Sequence, residues 1–144
     1  MKILILSILF TVSSTYSYSQ QLIPEVFIGT WKVIDSQLRP EFEMGLDVEG
    51  KQKLETLRIG FVGTIFGFKK NNEFTITFPT SMPDMMKELE FVNNQKWKID
   101  KEQMIAIGSK EDGYSLMVVN ILNKKEKMYF IIFESPFIFE MSKF

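Results

Sequence analysis

The sequence predicts a mostly antiparallel β fold, an eight-stranded up-and-down meander that closes into a barrel. Three observations predict it. Eight short segments of strand character follow one another between Phe27 and Met141. Most of them are joined by brief, turn-forming connections. The chain also carries 14 phenylalanines in 144 residues, an apolar load that must be buried in a single small domain.

Phe27 to Asp35 opens the meander, alternating so that Phe27, Gly29, Trp31 and Val33 share a face. Thr64 to Lys69 and Glu73 to Phe78 flank Asn71-Asn72, a tight-turn pair, and read as a hairpin. Lys96 to Asp100 and Gln103 to Ser109 read as another around Asp100-Lys101-Glu102. Tyr114 to Leu122, Lys127 to Glu134 and Phe137 to Met141 complete the set. Their turns are Lys110 to Gly113, Asn123 to Glu126 and Ser135-Pro136.

Two helices interrupt the strands. The first is an insertion after the first strand, over Gly50 to Ile59, with Leu54, Leu57 and Phe61 at helical spacing and Glu49 and Lys53 four apart in the favourable order. Pro40 and Gly45 mark an irregular approach to it. The second is short and precedes the fourth strand, over Asp84 to Val92, with Pro83 near its first turn. Met85, Met86, Leu89 and Val92 lie on one side of it.

The first twenty residues have the pattern of a secretory leader: Lys2, an apolar run from Ile3 to Val12, then Ser17 and Ser19 at the spacing of a cleavage site. The run is about half the roughly 20 residues that a bilayer span needs. Residues 1–19 are therefore expected to be a signal peptide and 20–144 the mature domain, exported and soluble in the periplasm or outside the cell. Lys2 is the one charged residue of the leader, so its removal takes the net charge from −1 to −2. A near-neutral chain offers no basic footprint for nucleic acid, and no polybasic run suggests membrane adhesion.

Cysteine and histidine are both absent. Within this chain that excludes disulfides, a lipid-modified cysteine, Ser-His-Asp and Cys-His arrangements and the usual zinc sites. Only carboxylates, hydroxyls, lysines and arginines remain for catalysis. A glycosidase-like pair needs two facing carboxyls about 5–10 Å apart. Glu134 and Glu140 come nearest to one and are expected to face solvent. The acidic set Glu41, Glu43, Asp47 and Glu49 lacks the spacing of a calcium loop. No catalytic residue, metal or cofactor is expected, and the chain reads as a non-enzyme.

Phe27-Ile28-Gly29-Thr30-Trp31-Lys32 contains G-x-W on the first strand of a meander, soon after a leader. This resembles the lipocalin-like superfamily, and in particular its small bacterial members. The resemblance implies an eight-stranded barrel whose floor is closed by the tryptophan, and a small apolar or amphipathic ligand. Three departures are visible: no T-D-Y between later strands, no arginine near the last strand (Lys143 is the only basic residue there), and no C-terminal helical pattern.

Trp31 carries most of the reading. Burying an indole removes about 150–250 Å² from water, worth up to about 4–6 kcal/mol at ~25 cal/mol per Å². It is open to two roles, core plug and cavity wall, of which the plug is the commoner. Trp97 alternates with Ile99 between outward Lys96 and Lys98 and has the same two roles. Phe66, Phe68, Tyr114 and Tyr129 join them as candidate ligand contacts. Asn120, between Val119 and Ile121, would orient a ligand if it faced the interior, or bond to water at a strand end. Arg39 and Arg58 flank the insertion. They suit either an acidic head group at the barrel mouth or surface ion pairs with Glu41, Glu43 or Glu55. Met82, Met85 and Met86 suit a lid or a helix-face core.

Met117 to Leu122 and Met128 to Phe133 are apolar on both faces. The outer face needs a cover, for which the inserted helix is expected and a second copy of the chain is the alternative. Two functions follow: a binder of a small apolar or amphipathic molecule, as monomer or homodimer, or an interaction or structural module of the cell envelope with a filled core.

Overall fold

The structure, a computed structural model, describes residues 22–144; the expected signal peptide, residues 1–19, lies outside the described residues. The chain forms α1 (Pro24–Phe27), β1 (Gly29–Leu38), a 3-10 turn (Pro40–Phe42), α2 (Val48–Phe61), β2 (Ile65–Phe68) and β3 (Phe74–Thr77). It continues with α3 (Asp84–Lys87), a second 3-10 turn (Glu88–Val92), β4 (Lys96–Ile99), β5 (Ile105–Gly108), β6 (Met117–Lys124), β7 (Lys127–Ile132) and β8 (Phe137–Lys143).

All eight strands belong to one antiparallel sheet of order β3-β2-β1-β8-β7-β6-β5-β4. The first and last strands pair, and the free edges β3 and β4 are drawn together. Glu73 and Lys96 form a bridge. The Phe74 N–H donates to the Gln95 carbonyl, and the Trp97 N–H to the Asn72 carbonyl, each at 2.8 Å. The result is a nearly closed meander barrel, as the turn spacing predicts.

The inward register is aromatic and branched throughout: Trp31 opposes Phe66, Phe68 opposes Phe74, Trp97 opposes Ile107, Ile105 opposes Val119 and Phe130 opposes Phe139. Phe130 stands at the centre, with ring centroids 5.6 Å from Trp31, 5.9 Å from Phe66 and 6.1 Å from Phe68. Trp31 and Trp97 are 5% and 2% exposed. The barrel is filled by side chains along this stack.

Several expectations are corrected. Phe27 is buried, but in the helical turn α1 rather than on a strand; Pro24 supplies the fixed φ that starts the turn. The first strand runs on to Leu38, with a bulge between Val33 and Asp35. Ile34 stays outward by alternation, and the extra residue brings Ser36 inside in place of Asp35. Ser36 and Thr64 are fully buried, and neither hydroxyl has a hydrogen-bond partner among the described residues. The helix predicted over Gly50 to Ile59 spans Val48–Phe61, because the Asp47 carboxylate caps it by accepting the Gly50 N–H at 2.8 Å. The second predicted helix is one α turn followed by a 3-10 turn.

The inserted helix does not cover the doubly apolar strands. α2 lies against β1. Leu54, Leu57 and Phe61 face the core cluster, and the Phe61 ring is 5.1 Å from Phe137 and 4.9 Å from Phe139. α2 thus closes over the upper end of the barrel, while α1 lies at the lower end.

Candidate functional site

Four of the named aromatic residues, Trp31, Phe66, Phe68 and Trp97, do come together. They meet as neighbours in the packed stack, which makes them the filling of the barrel rather than the wall of an open cavity. The Trp31 Nε1–H donates to the Phe27 carbonyl at 2.9 Å, and the Trp97 Nε1–H to the Lys69 carbonyl at 3.2 Å. Both indoles are thereby satisfied within the chain.

The remaining five sit elsewhere. Tyr114 falls in the turn before β6 with φ +58, and its ring lies 4.4 Å from the Lys98 ammonium. Asn120 is exposed on the outer face, opposite Ile131. Tyr129 is on the same outer face, opposite Leu122 and Glu140. Arg39 pairs with Glu41 at 2.8 Å and donates to the Ser135 carbonyl at 3.1 Å. Arg58 grips Glu55 with two nitrogens and donates to the Ser36 carbonyl. That side-chain hydrogen bonding holds the Glu55 carboxyl below its ordinary range and pushes Arg58 up. Both guanidinium groups are occupied within the fold. Glu140 likewise pairs with Lys127, at 2.9 Å.

A different place can take a ligand. At the upper end of the barrel a groove of about 310 Å³ runs between the α3 segment and the ends of β6 and β7. Met86, Leu89 and Phe91 form one wall. Leu116, Phe133 and Pro136 form the other, and the buried Phe61, Met117 and Phe137 form the floor. Phe91 is 56% and Phe133 63% exposed. The rim carries Ser115, Ser135 and one charged residue, Glu134.

Each wall is anchored. Met82 is buried against Gly60 of α2, where an added Cβ would lie 3.1 Å from the Met82 sulfur and from Pro83. At the far end of this segment the Asn93 side chain accepts the Ile76 N–H at 2.6 Å, serving β3 where no neighbouring strand does. On the opposite wall the Phe133 N–H donates to the Val118 carbonyl at 2.8 Å, the Phe137 N–H to the Ser135 hydroxyl at 3.1 Å and the Arg39 N–H to the Pro136 carbonyl at 2.8 Å. The loop entering β6 is organised by the Asp112 carboxylate, which accepts from the Ser109 and Ser115 backbone N–H groups and the Ser109 hydroxyl. These bonds hold the Asp112 carboxyl below its ordinary range, the Ser109 backbone N–H chief among them. The groove is therefore pre-formed, which lowers the entropic cost of binding.

Sequence reasoning names none of this groove's residues as ligand contacts. The methionine cluster is its one visible signal: Met86 lines the groove, Met82 is core, and Met85 is exposed. Phe133 and Glu134 lie in the turn just after β7, a strand with no alternation, so nothing local shows which way they point.

Other depressions lie outside the barrel interior. One at the lower end, of about 390 Å³, is lined by Leu22, Ile23, Val26, Ile121, Asn123 and Met128. Another, of about 480 Å³, lies on the outer face beside Arg39, Phe42, Asn120 and Ile131, and it shares Phe133 and Glu134 with the groove. Among the described residues no three carboxylates gather as a metal site, and no helix is long and apolar enough to cross a membrane.

Fold and groove together define a small, nearly closed eight-stranded meander barrel with a filled interior and an apolar cleft at its mouth. Compared with family models, with curated proteins and with solved structures, the chain finds no match.

Proposed function

We propose that the chain is an exported, lipocalin-like, non-catalytic binding protein, and that its site is the mouth groove rather than the barrel interior. The ligand is a small apolar or amphipathic molecule. The observation that carries this reading is the pair of phenylalanines, Phe91 and Phe133, left largely in water on facing walls of a pre-formed apolar cleft. Both rings are already partly buried, so covering either one recovers about 1–2 kcal/mol, and a ligand that spans the cleft gains from both. The leader pattern and G-x-W support export and the lipocalin-like assignment.

The test is a methyl-detected NMR titration of the mature chain with 1-naphthylmethanol, a neutral bicyclic probe that fits the groove. Shifts confined to Met86, Leu89 and Leu116, weakened at least threefold by Phe133→Ser, are expected. Shifts scattered over the surface, or none at all, would remove the reading.

One observation favours a second reading, an envelope interaction module. The outer face of β6 and β7 presents Val118, Leu122, Tyr129 and Ile131, and α2 packs against β1 instead. A second copy or another protein would cover that face. Light scattering that finds a stable dimer, abolished by Ile131→Lys, supports it; a monomer at all concentrations removes the homodimeric form of it.

A further inference from the structure

We propose that the mouth groove selects ligands whose apolar body carries a positively charged amine, and discriminates against carboxylates. This rests on the groove being the binding site. The groove's walls and floor are apolar, and the single charged side chain among its lining residues is Glu134. Glu134 makes no ion pair or hydrogen bond among the described residues, and it occupies the left-handed region at φ +63. Non-glycine residues adopt that conformation mostly in turns, and Glu134 does so in the turn from β7 to β8. That turn sets Glu134 next to the exposed Phe133 among the residues that line the groove.

The surrounding charge has the same sign. The wall segment carries Asp84, Glu88 and Glu90 against Lys87 alone, and Lys87 is paired with Asp84 at 2.9 Å. Arg39 lines the neighbouring outer-face depression together with Phe133 and Glu134, and it is held there by Glu41 at 2.8 Å and by the Ser135 carbonyl at 3.1 Å. No lysine or arginine lines the groove itself. A carboxylate ligand would meet Glu134, while Arg39 is already engaged by Glu41 and the Ser135 carbonyl. An ammonium group would find an unpaired acceptor at the point where its apolar body enters the cleft.

The test compares 1-naphthylmethylamine, 1-naphthylmethanol and 1-naphthoate on the mature chain at pH 7 and low salt, by the same methyl NMR titration. The amine is expected to bind about twofold to fivefold more tightly than the alcohol, the range of one partly exposed charge pair, and the naphthoate more weakly than either. Glu134→Gln should bring the amine-to-alcohol ratio to about one, and Glu134→Lys should invert the order of amine and naphthoate. Equal binding of all three probes in the groove, or tightest binding of naphthoate, overturns the charge selection and leaves the groove reading standing. Failure of the alcohol to reach the groove overturns the groove reading, and this inference with it.

Discussion

The Lys143 ammonium lies 5.4 Å from the Trp31 ring centroid and donates to the Val26 carbonyl at 2.8 Å, so the end of β8 locks the start of β1 to α1. Trp31 and Lys143 are register partners. The lysine stem crosses Gly29, whose φ of +128 suits only glycine and where an added Cβ would stand 3.0 Å from Lys143 Cε. A lysine thus occupies the space over the indole.

Lys143→Ala should therefore lower stability by about 1–2 kcal/mol, combining a partly exposed cation–π contact with a charge-assisted hydrogen bond. Lys143→Arg should recover most of it. Gly29→Ala should cost at least about 1–3 kcal/mol through backbone strain alone. Urea denaturation measures all three, and an unchanged midpoint in Gly29→Ala would contradict the positive φ at Gly29.

Phe130 touches three other rings at the centre of the barrel. Phe130→Ala should cost about 3–5 kcal/mol, as large-to-small changes in tight aromatic cores do. Phe130→Leu should cost distinctly less. A loss below about 1 kcal/mol for the alanine variant would mean that the interior is loose and the filled-barrel description wrong.

Both indoles are sealed. Iodide should quench neither Trp31 nor Trp97 appreciably in the folded protein, and both should become quenchable in urea. Trp31→Phe removes the donor to the Phe27 carbonyl and should destabilise by about 1–3 kcal/mol. A fluorescence spectrum with freely quenched emission before unfolding would count directly against the barrel.

Ser36 and Thr64 each bury a hydroxyl that has no partner among the described residues. Thr64→Val keeps the shape and removes the polar atom, so it should leave stability equal or raise it, by up to about 1 kcal/mol. A clear destabilisation by calorimetry would show that the hydroxyl is satisfied in solution.

Asp112 gives the loop beside the groove an acid-sensitive anchor. Its folded pKa lies below the ordinary carboxylate value because backbone and hydroxyl donors favour the charged form. Its stabilisation is therefore complete above the unfolded pKa and is lost as pH falls through the folded one. Asp112→Ala should be less stable than wild type at pH 7, and the two stability curves should converge in acid. Parallel curves from pH 7 downward would remove Asp112 as the cause.

The strands, the hairpin around Asn71-Asn72 and the inward set Trp31, Val33 and Trp97 were legible in the sequence because period-two alternation and turn chemistry are local properties. Met117 to Leu122 and Met128 to Phe133 lack that alternation, so the outward direction of Asn120 and Tyr129 came only from the inter-strand register. The Val33–Asp35 bulge likewise shifted side chains between faces without any local mark. Arg39 and Arg58 were readable as charged residues near the mouth, but their saturation by Glu41, Glu55 and backbone carbonyls is a matter of three-dimensional placement.

By itself, then, the chain's pattern determined a meander barrel without cysteine or histidine chemistry, since alternation, turns and composition act over a few residues at a time. Tertiary structure alone decided that the barrel is full, that Lys143 sits on Trp31, and that Phe91, Phe133 and Glu134 edge one cleft. Those juxtapositions join segments far apart in the chain, and they exist only once burial of the phenylalanine stack has closed the sheet.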